Sequence, residues 1–277
     1  MKEVDHVKKL IFLVNLILIS IILINYDEKS DNNKIKVAIL DSGISQDNKE
    51  LNKLIVKEYN AIKPHEKLTD EFNHGTAVAG IIALNVDSNI GKHAKMDIYS
   101  VKVLDKNGYG NVKSLAKAIN WCIQEKVKII NISAGVQYGT EELYHAVQKA
   151  VKNGIIIISA AGNNYGLSVD YPAKYKGVIS INTIDQNHTV PDFSANGKID
   201  YSMPGVNLKS VNNNNQISYF TGTSFSAAYA TRVVATIIAN QQKETNYSNI
   251  KQKLSPFTTK LGIQESKIGQ GYLKKIN

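Results

Sequence analysis

Five β-branched runs with helical stretches between them limit this chain to few architectures. The runs are Ile35 to Leu40, Ile98 to Leu104, Lys128 to Ser133, Ile155 to Ser159 and Val178 to Thr183, each bounded by turn residues. Helical patterns fall at Phe72 to Leu84, Val112 to Glu125 and Glu141 to Asn153. The last has Thr140 as its cap, two acids in its first turn and Gly154 beyond its end. Strands that are apolar almost throughout suit a sheet buried on both faces, and their alternation with helices predicts an α/β fold with a mostly parallel central sheet flanked by helices. At 277 residues and 43% hydrophobic, the chain carries enough apolar surface for one large domain.

The N-terminus departs from this pattern. Lys2, Lys8 and Lys9 precede the apolar run Leu10 to Ile24, which is interrupted only by Asn15 and Ser20. A basic start followed by such a run reads as a signal peptide or signal anchor, and no small-residue cleavage site precedes Asn25-Tyr26-Asp27-Glu28. As a helix the run is about 22 Å long, short of the roughly 30 Å hydrocarbon core. The expectation is a segment over residues 1–25 that stays attached, with membrane association through residues 10–24 and the remainder outside the cytoplasm. The alternatives are a secreted protein, or a leader that never inserts and an intracellular protein. Residues 26–34 form a polar linker, and 35–277 form the main domain, with no long segment between linker and domain.

The formal net charge is +9, and the excess is almost wholly lysine, because Arg232 is the one arginine. Scattered lysine attracts acidic partners but makes a poor nucleic-acid groove, so an acidic peptide is the better fit. Cys122, the single cysteine, excludes an internal disulfide, and its apolar neighbours Trp121 and Ile123 suggest a core filler.

Open parallel sheets place their sites beyond the carboxyl ends of the strands. Asp41 follows the first run in Asp41-Ser42-Gly43, where it either makes a turn or orients an imidazole. His74, in His74-Gly75-Thr76, opens a small-residue helix as a packing group or a base. Ser224, in Thr221-Gly222-Thr223-Ser224-Phe225, stands before the apolar segment Phe225 to Ala239. It is either the helix cap or a nucleophile at the positive end of a helix dipole.

Taken together and in this order, Asp41-Ser42-Gly43, His74-Gly75-Thr76 and Gly222-Thr223-Ser224-Phe225 resemble the subtilisin-like serine proteases, or subtilases, from about Lys34 to the C-terminus. The resemblance implies a three-layer subtilisin-like fold and peptide-bond hydrolysis. In it Ser224 is the nucleophile, His74 the base and Asp41 the group that holds the imidazole. Asn163, in Ser159-Ala160-Ala161-Gly162-Asn163, matches the family's oxyanion asparagine, with the Ser224 N–H as companion. Gly108-Tyr109-Gly110 and Ser133-Ala134-Gly135 look like the two edges that pair with an extended peptide. Ala160, Ala161 and Gly162 would form one wall of the primary specificity pocket. By the same resemblance Asp170, just before Tyr171-Pro172, would fall at the base of that pocket, where a carboxylate favours lysine or arginine before the cleaved bond; the alternative is a solvated loop aspartate.

The chain departs from the family at Ala77, where a second histidine is common, at Ala228 in place of a proline, and at Arg232 in place of a small residue. No cofactor is required for the chemistry that the resemblance implies. Glu50, Asn85, Asp87 and Ile90 resemble a family site for structural calcium, a cation that takes hard oxygen ligands. With only the short linker where secreted members carry a folding prodomain, the domain is expected to fold unaided. A lysine-rich, prodomain-free chain resembles the leader peptidases of lantibiotic gene clusters, which remove an acidic leader from a modified peptide. A general-turnover protease and an inactive peptide-binding member of the fold are the alternatives.

Overall fold

The computed structural model describes residues 34–86, 95–240 and 245–274. Nine strands form the central sheet: β1 (Ile35–Asp41), β2 (Ile55–Asn60), β3 (Met96–Lys102), β4 (Ile129–Ile132), β5 (Ile156–Ala160), β6 (Val178–Ile184), β7 (Tyr201–Pro204), β10 (Thr258–Thr259) and β11 (Tyr272–Leu273), in the order β10-β11-β7-β6-β5-β4-β1-β3-β2. Every pairing is parallel except β10 with β11. A separate antiparallel hairpin, β8 (Leu208–Val211) with β9 (Ile217–Phe220), leads into the serine segment.

Helices cover both faces. Helix α1 (Lys49–Asn52) is a single turn; α2 (Gly75–Ala83) and α5 (Thr223–Ala239) pack on one face with Val37, Ile39, Ile156, Ile158 and Ile179. On the other face α3 (Val112–Gln124) and α4 (Glu141–Lys152) bury Leu115, Ile119, Leu143 and Val147 against Ala38, Leu40, Ile130 and Ile132. Each strand sends alternate side chains to opposite layers, so runs apolar at every position are what a covered sheet needs. The predicted three-layer, mostly parallel fold is the fold observed. Helices α6 (Tyr247–Leu254) and α7 (Glu265–Ile268) close the C-terminal part.

The five predicted strands and the predicted helices appear within a few residues of their expected bounds. The helix expected from Phe72 begins instead at Gly75, because Asn73 adopts a left-handed φ of 65°. β2, β7, β10, β11 and the β8–β9 hairpin were not expected. β2 lies at the sheet edge with Val56, Lys57 and Glu58 exposed, so it lacks the apolar run that marks a buried strand. The anchor-like stretch 10–24 lies outside the described residues, and among the described residues no helix is long and apolar enough to cross a membrane.

Candidate active site

Parallel strands deliver the site residues to one end of the sheet. Asp41 is the last residue of β1 and is fully buried. Its Oδ1 lies 2.8 Å from His74 Nδ1 and also accepts the Ser42 N–H at 2.7 Å. His74 precedes α2. The first turn of α2 packs so closely on the Asp41 loop that a Cβ at Gly75 would fall 2.1 Å from the Gly43 carbonyl oxygen. Only glycine permits that approach. Burial by itself lowers the His74 pKa, but the charge and hydrogen bond of Asp41, helped by Asp70, outweigh it and leave the pKa raised.

Ser224 is in the first turn of α5, and the cap position is Gly222, at φ 147°. Ser224 therefore lies inside the helix and not at its cap, and the cap residue makes no side-chain capping bond. The serine's hydroxyl donates to the Ser133 carbonyl oxygen at 2.8 Å, and its N–H is among those a helix leaves without an internal partner. Phe225 packs its ring 5.1 Å from the imidazole of His74, and Phe72 lies 6.0 Å from the imidazole. Asn163 Oδ1 accepts from the backbone N–H and the hydroxyl of Thr223, both at 3.0 Å. With its oxygen held this way, the exposed amide presents its nitrogen as the donor.

The two expected peptide edges line one cleft. Gly108, Tyr109 and Gly110 face Ser133, Ala134 and Gly135 across a cavity of about 400 Å³ that also includes His74 and Phe72. Gly108 takes a φ of +77°, and a Cβ there would sit 2.5 Å from the Phe72 ring. Ala160 ends β5 and Ala161 and Gly162 follow it, and the Asp170 N–H donates to the Ala161 carbonyl at 2.9 Å. The Asp170 side chain lies against both glycine walls: a Cβ on Gly135 would come within 2.7 Å of its Cβ, and one on Gly162 within 2.4 Å of its Oδ2. Burial raises the Asp170 pKa, against a 3.3 Å hydrogen bond from Asn164 Nδ2.

The sequence model of the subtilase family matches residues 32–272. The chain belongs to the subtilase family. A thermostable alkaline protease of Halalkalibacterium halodurans is 36% identical over 233 residues, covering 83% of this chain and 63% of that protein. Subtilisin DY of Bacillus licheniformis is 31% identical, covering 82% of this chain and 85% of its own length. The minor extracellular protease Epr of Bacillus subtilis is 31% identical, but this chain covers only 38% of it. The chain thus spans less than two thirds of two of these relatives.

Several residues that support this subtilase site were not singled out in the sequence. Asp70, buried, accepts from Ser42 Oγ at 2.7 Å, the Asn73 N–H at 2.9 Å and the Thr76 N–H at 2.8 Å, joining the Asp41 and His74 loops. The buried Lys102 ammonium donates to the carbonyls of Ser42 and Thr69 at 2.7 and 2.8 Å. Asn131 accepts from Ser133 Oγ and donates to Thr231 Oγ1, both at 2.9 Å, linking β4 to α5. The signal available was a polar residue inside an apolar strand or an acid shortly before His74-Gly75. Cys122 is fully buried and burial pushes its thiol pKa up, as suits a core filler.

Of the four residues expected to hold calcium, Asp87 and Ile90 lie outside the described residues. The other two are engaged elsewhere. Glu50 pairs with Lys53 at 2.7 Å on the surface, with both side chains 68% exposed. Asn85 Oδ1 accepts from Arg232 Nη2 at 2.7 Å. A calcium ion on that oxygen, at about 2.4 Å, would stand within about 5 Å of a guanidinium, where like charges repel. These two residues do not fit a calcium site. Among the described residues, no group of three acidic, histidine or cysteine side chains gathers in a metal-holding arrangement.

Proposed function

We propose that this chain is a serine endopeptidase that uses Asp41, His74 and Ser224, with Asn163, to cleave a peptide carrying a basic residue before the scissile bond. The observation that carries the reading is the 2.8 Å contact of Asp41 with His74 Nδ1, placed on the same cleft as Ser133–Gly135. Asp41 fixes the tautomer that leaves Nε2 free to accept a proton. In the proposed reaction the Ser224 hydroxyl leaves the Ser133 carbonyl and turns toward that nitrogen. As Oγ bonds to the substrate carbonyl carbon, its proton passes to His74, and the negative charge on the substrate oxygen meets Asn163 Nδ2 and the Ser224 N–H. His74 then gives the proton to the departing amine, leaving an ester on Ser224. Water, deprotonated by the same imidazole, attacks the ester; the proton returns to Ser224 and the new carboxylate leaves.

Specificity is proposed to follow from Asp170, whose carboxylate lies between the Gly135 and Gly162 walls and attracts an arginine or lysine side chain. The charge of +9 favours an acidic segment on the substrate, which supports removal of a leader from a lantibiotic-like precursor. Residues 10–24 are proposed to hold the enzyme at a membrane with its catalytic part outside the cytoplasm. The test has three arms. A fluorophosphonate probe labels the wild type and not Ser224→Ala; failure to label the wild type overturns the enzyme reading. Peptides that differ only in Arg, Gln or Phe before the scissile bond rank with Arg first, and equal rates overturn the role of Asp170. Cleavage sites mapped by mass spectrometry cluster at one leader junction, whereas broad degradation of casein favours general turnover.

A further inference from the structure

The only arginine in a chain rich in lysine is fully buried. Arg232 lies about two turns beyond Ser224 on α5, a helix buried along nearly its whole length. A guanidinium is costly to bury unless its donors are satisfied, so its surroundings should show what it holds. Arg232 Nη1 donates to the carbonyl oxygens of Ile81 at 3.2 Å and Leu84 at 2.7 Å, and Nη2 donates to Asn85 Oδ1 at 2.7 Å. The first two acceptors belong to the C-terminal end of α2, where a helix leaves carbonyls without partners and where its dipole favours positive charge.

We infer that Arg232 is a built-in cation that ties the end of the His74 helix to the Ser224 helix, doing without metal what a calcium ion at Asn85 would do. Among the described residues, oxygens of Ile81, Leu84 and Asn85 converge on this positive charge, as they would on a metal ion. A planar guanidinium that stays charged at every working pH serves them from the neighbouring helix, where a lysine offers only one point charge. Arginine and calcium compete for Asn85 Oδ1, so the arginine makes this junction independent of metal. The inference concerns the fold at this junction and does not depend on the proposed substrate.

The test is thermal unfolding, followed by circular dichroism on the full chain, with excess chelator or with millimolar calcium. The wild type is expected to unfold at the same temperature in both, within about one degree. A fall of several degrees in chelator, reversed by calcium, overturns the inference. Arg232→Met, which keeps an unbranched apolar stem and removes the charge, is expected to lower the midpoint by roughly 5–15 °C. Arg232→Gly is expected to recover part of its loss in guanidinium at low, non-denaturing concentration but not in equal sodium chloride. A Met variant as stable as the wild type, or equal recovery in both salts, overturns the inference. Fluorophosphonate labelling of the same samples reports on the protease reading separately, so the two fail independently.

Discussion

Ser224 and Ser133 form a reciprocal pair: the Ser224 hydroxyl donates to the Ser133 carbonyl at 2.8 Å, and the Ser133 hydroxyl donates to the Ser224 carbonyl at 3.2 Å. The first bond parks the proposed nucleophile against a cleft edge. The second fixes the start of α5 to the end of β4 and shares its donor with Asn131 Oδ1. Ser133→Ala removes the second bond while leaving the main-chain acceptor of the first. The expected result is a loss of about 1 kcal/mol of stability, because a buried amide oxygen loses its donor, with probe labelling of Ser224 retained. Urea unfolding alongside labelling rates measures both.

The raised pKa of His74 sets a pH window in which activity and stability run in opposite directions. Proton acceptance needs the neutral imidazole, so the rate is expected to fall as pH drops through a value above the ordinary 6.5 of histidine. The stability contributed by the Asp41–His74 pair is fully present below the unfolded pKa and is lost as pH rises through the folded one. Asp41→Asn should cut turnover by about 10⁴ and move the acid limb of the pH–rate profile to lower pH. An unmoved limb would show that Asp41 does not tune the imidazole.

How much of this was legible in the sequence follows from what kind of force each residue serves. Buried strands and α5 were readable because the core demands mostly apolar residues, at every position from Val37 to Leu40 and with few polar interruptions from Phe225 to Ile238. β2 was not, because an edge strand with exposed Val56, Lys57 and Glu58 carries no such pattern. Asp41, His74 and Ser224 stood out only as a set, since each alone has a commoner use. Asp70 and Lys102 were missed because their partners, Ser42, Thr69 and Thr76, become neighbours only when two loops fold together. Arg232 departs from the family pattern in the sequence alone, but its hydrogen bonds to Ile81 and Leu84 depend on how α2 and α5 pack.

Asp170 offers a test in which pH alone switches specificity. Its pKa is raised by burial, so its charge is lost at a higher pH than that of an ordinary aspartate. The proposed preference for Arg over Gln before the cleaved bond should therefore hold near neutrality and shrink as pH falls toward that raised value. Asp170→Asn should reduce the Arg-to-Gln ratio of kcat/KM by roughly 10–100-fold at neutral pH and make it independent of pH. A ratio that the substitution leaves unchanged would remove Asp170 from the specificity pocket.

Far from the cleft, Asp200 anchors three elements by charge. Its carboxylate meets the ammonium groups of Lys198 at 2.6 Å and Lys251 at 2.5 Å, and it accepts the Ser180 N–H at 2.9 Å, joining β6, the entry to β7 and α6. Burial would raise its pKa, but Lys198 first, then Lys251 and Ser180, outweigh burial and leave it lowered. For Lys198 the balance goes the other way, with burial exceeding the pull of Asp200, so its pKa is lowered as well. The stability carried by Asp200 is therefore present above the ordinary aspartate pKa and is lost as pH falls through the depressed folded value. Asp200→Ala leaves two lysines facing one another without their shared anion. The loss should be about 2–3 kcal/mol, less than for a fully buried pair, because Lys198 and Lys251 keep 32% and 44% of their side chains exposed. Chemical unfolding at neutral pH should show that loss in full. At acid pH the difference between variant and wild type should narrow, and a difference constant with pH would mean that packing, not charge, holds these elements together.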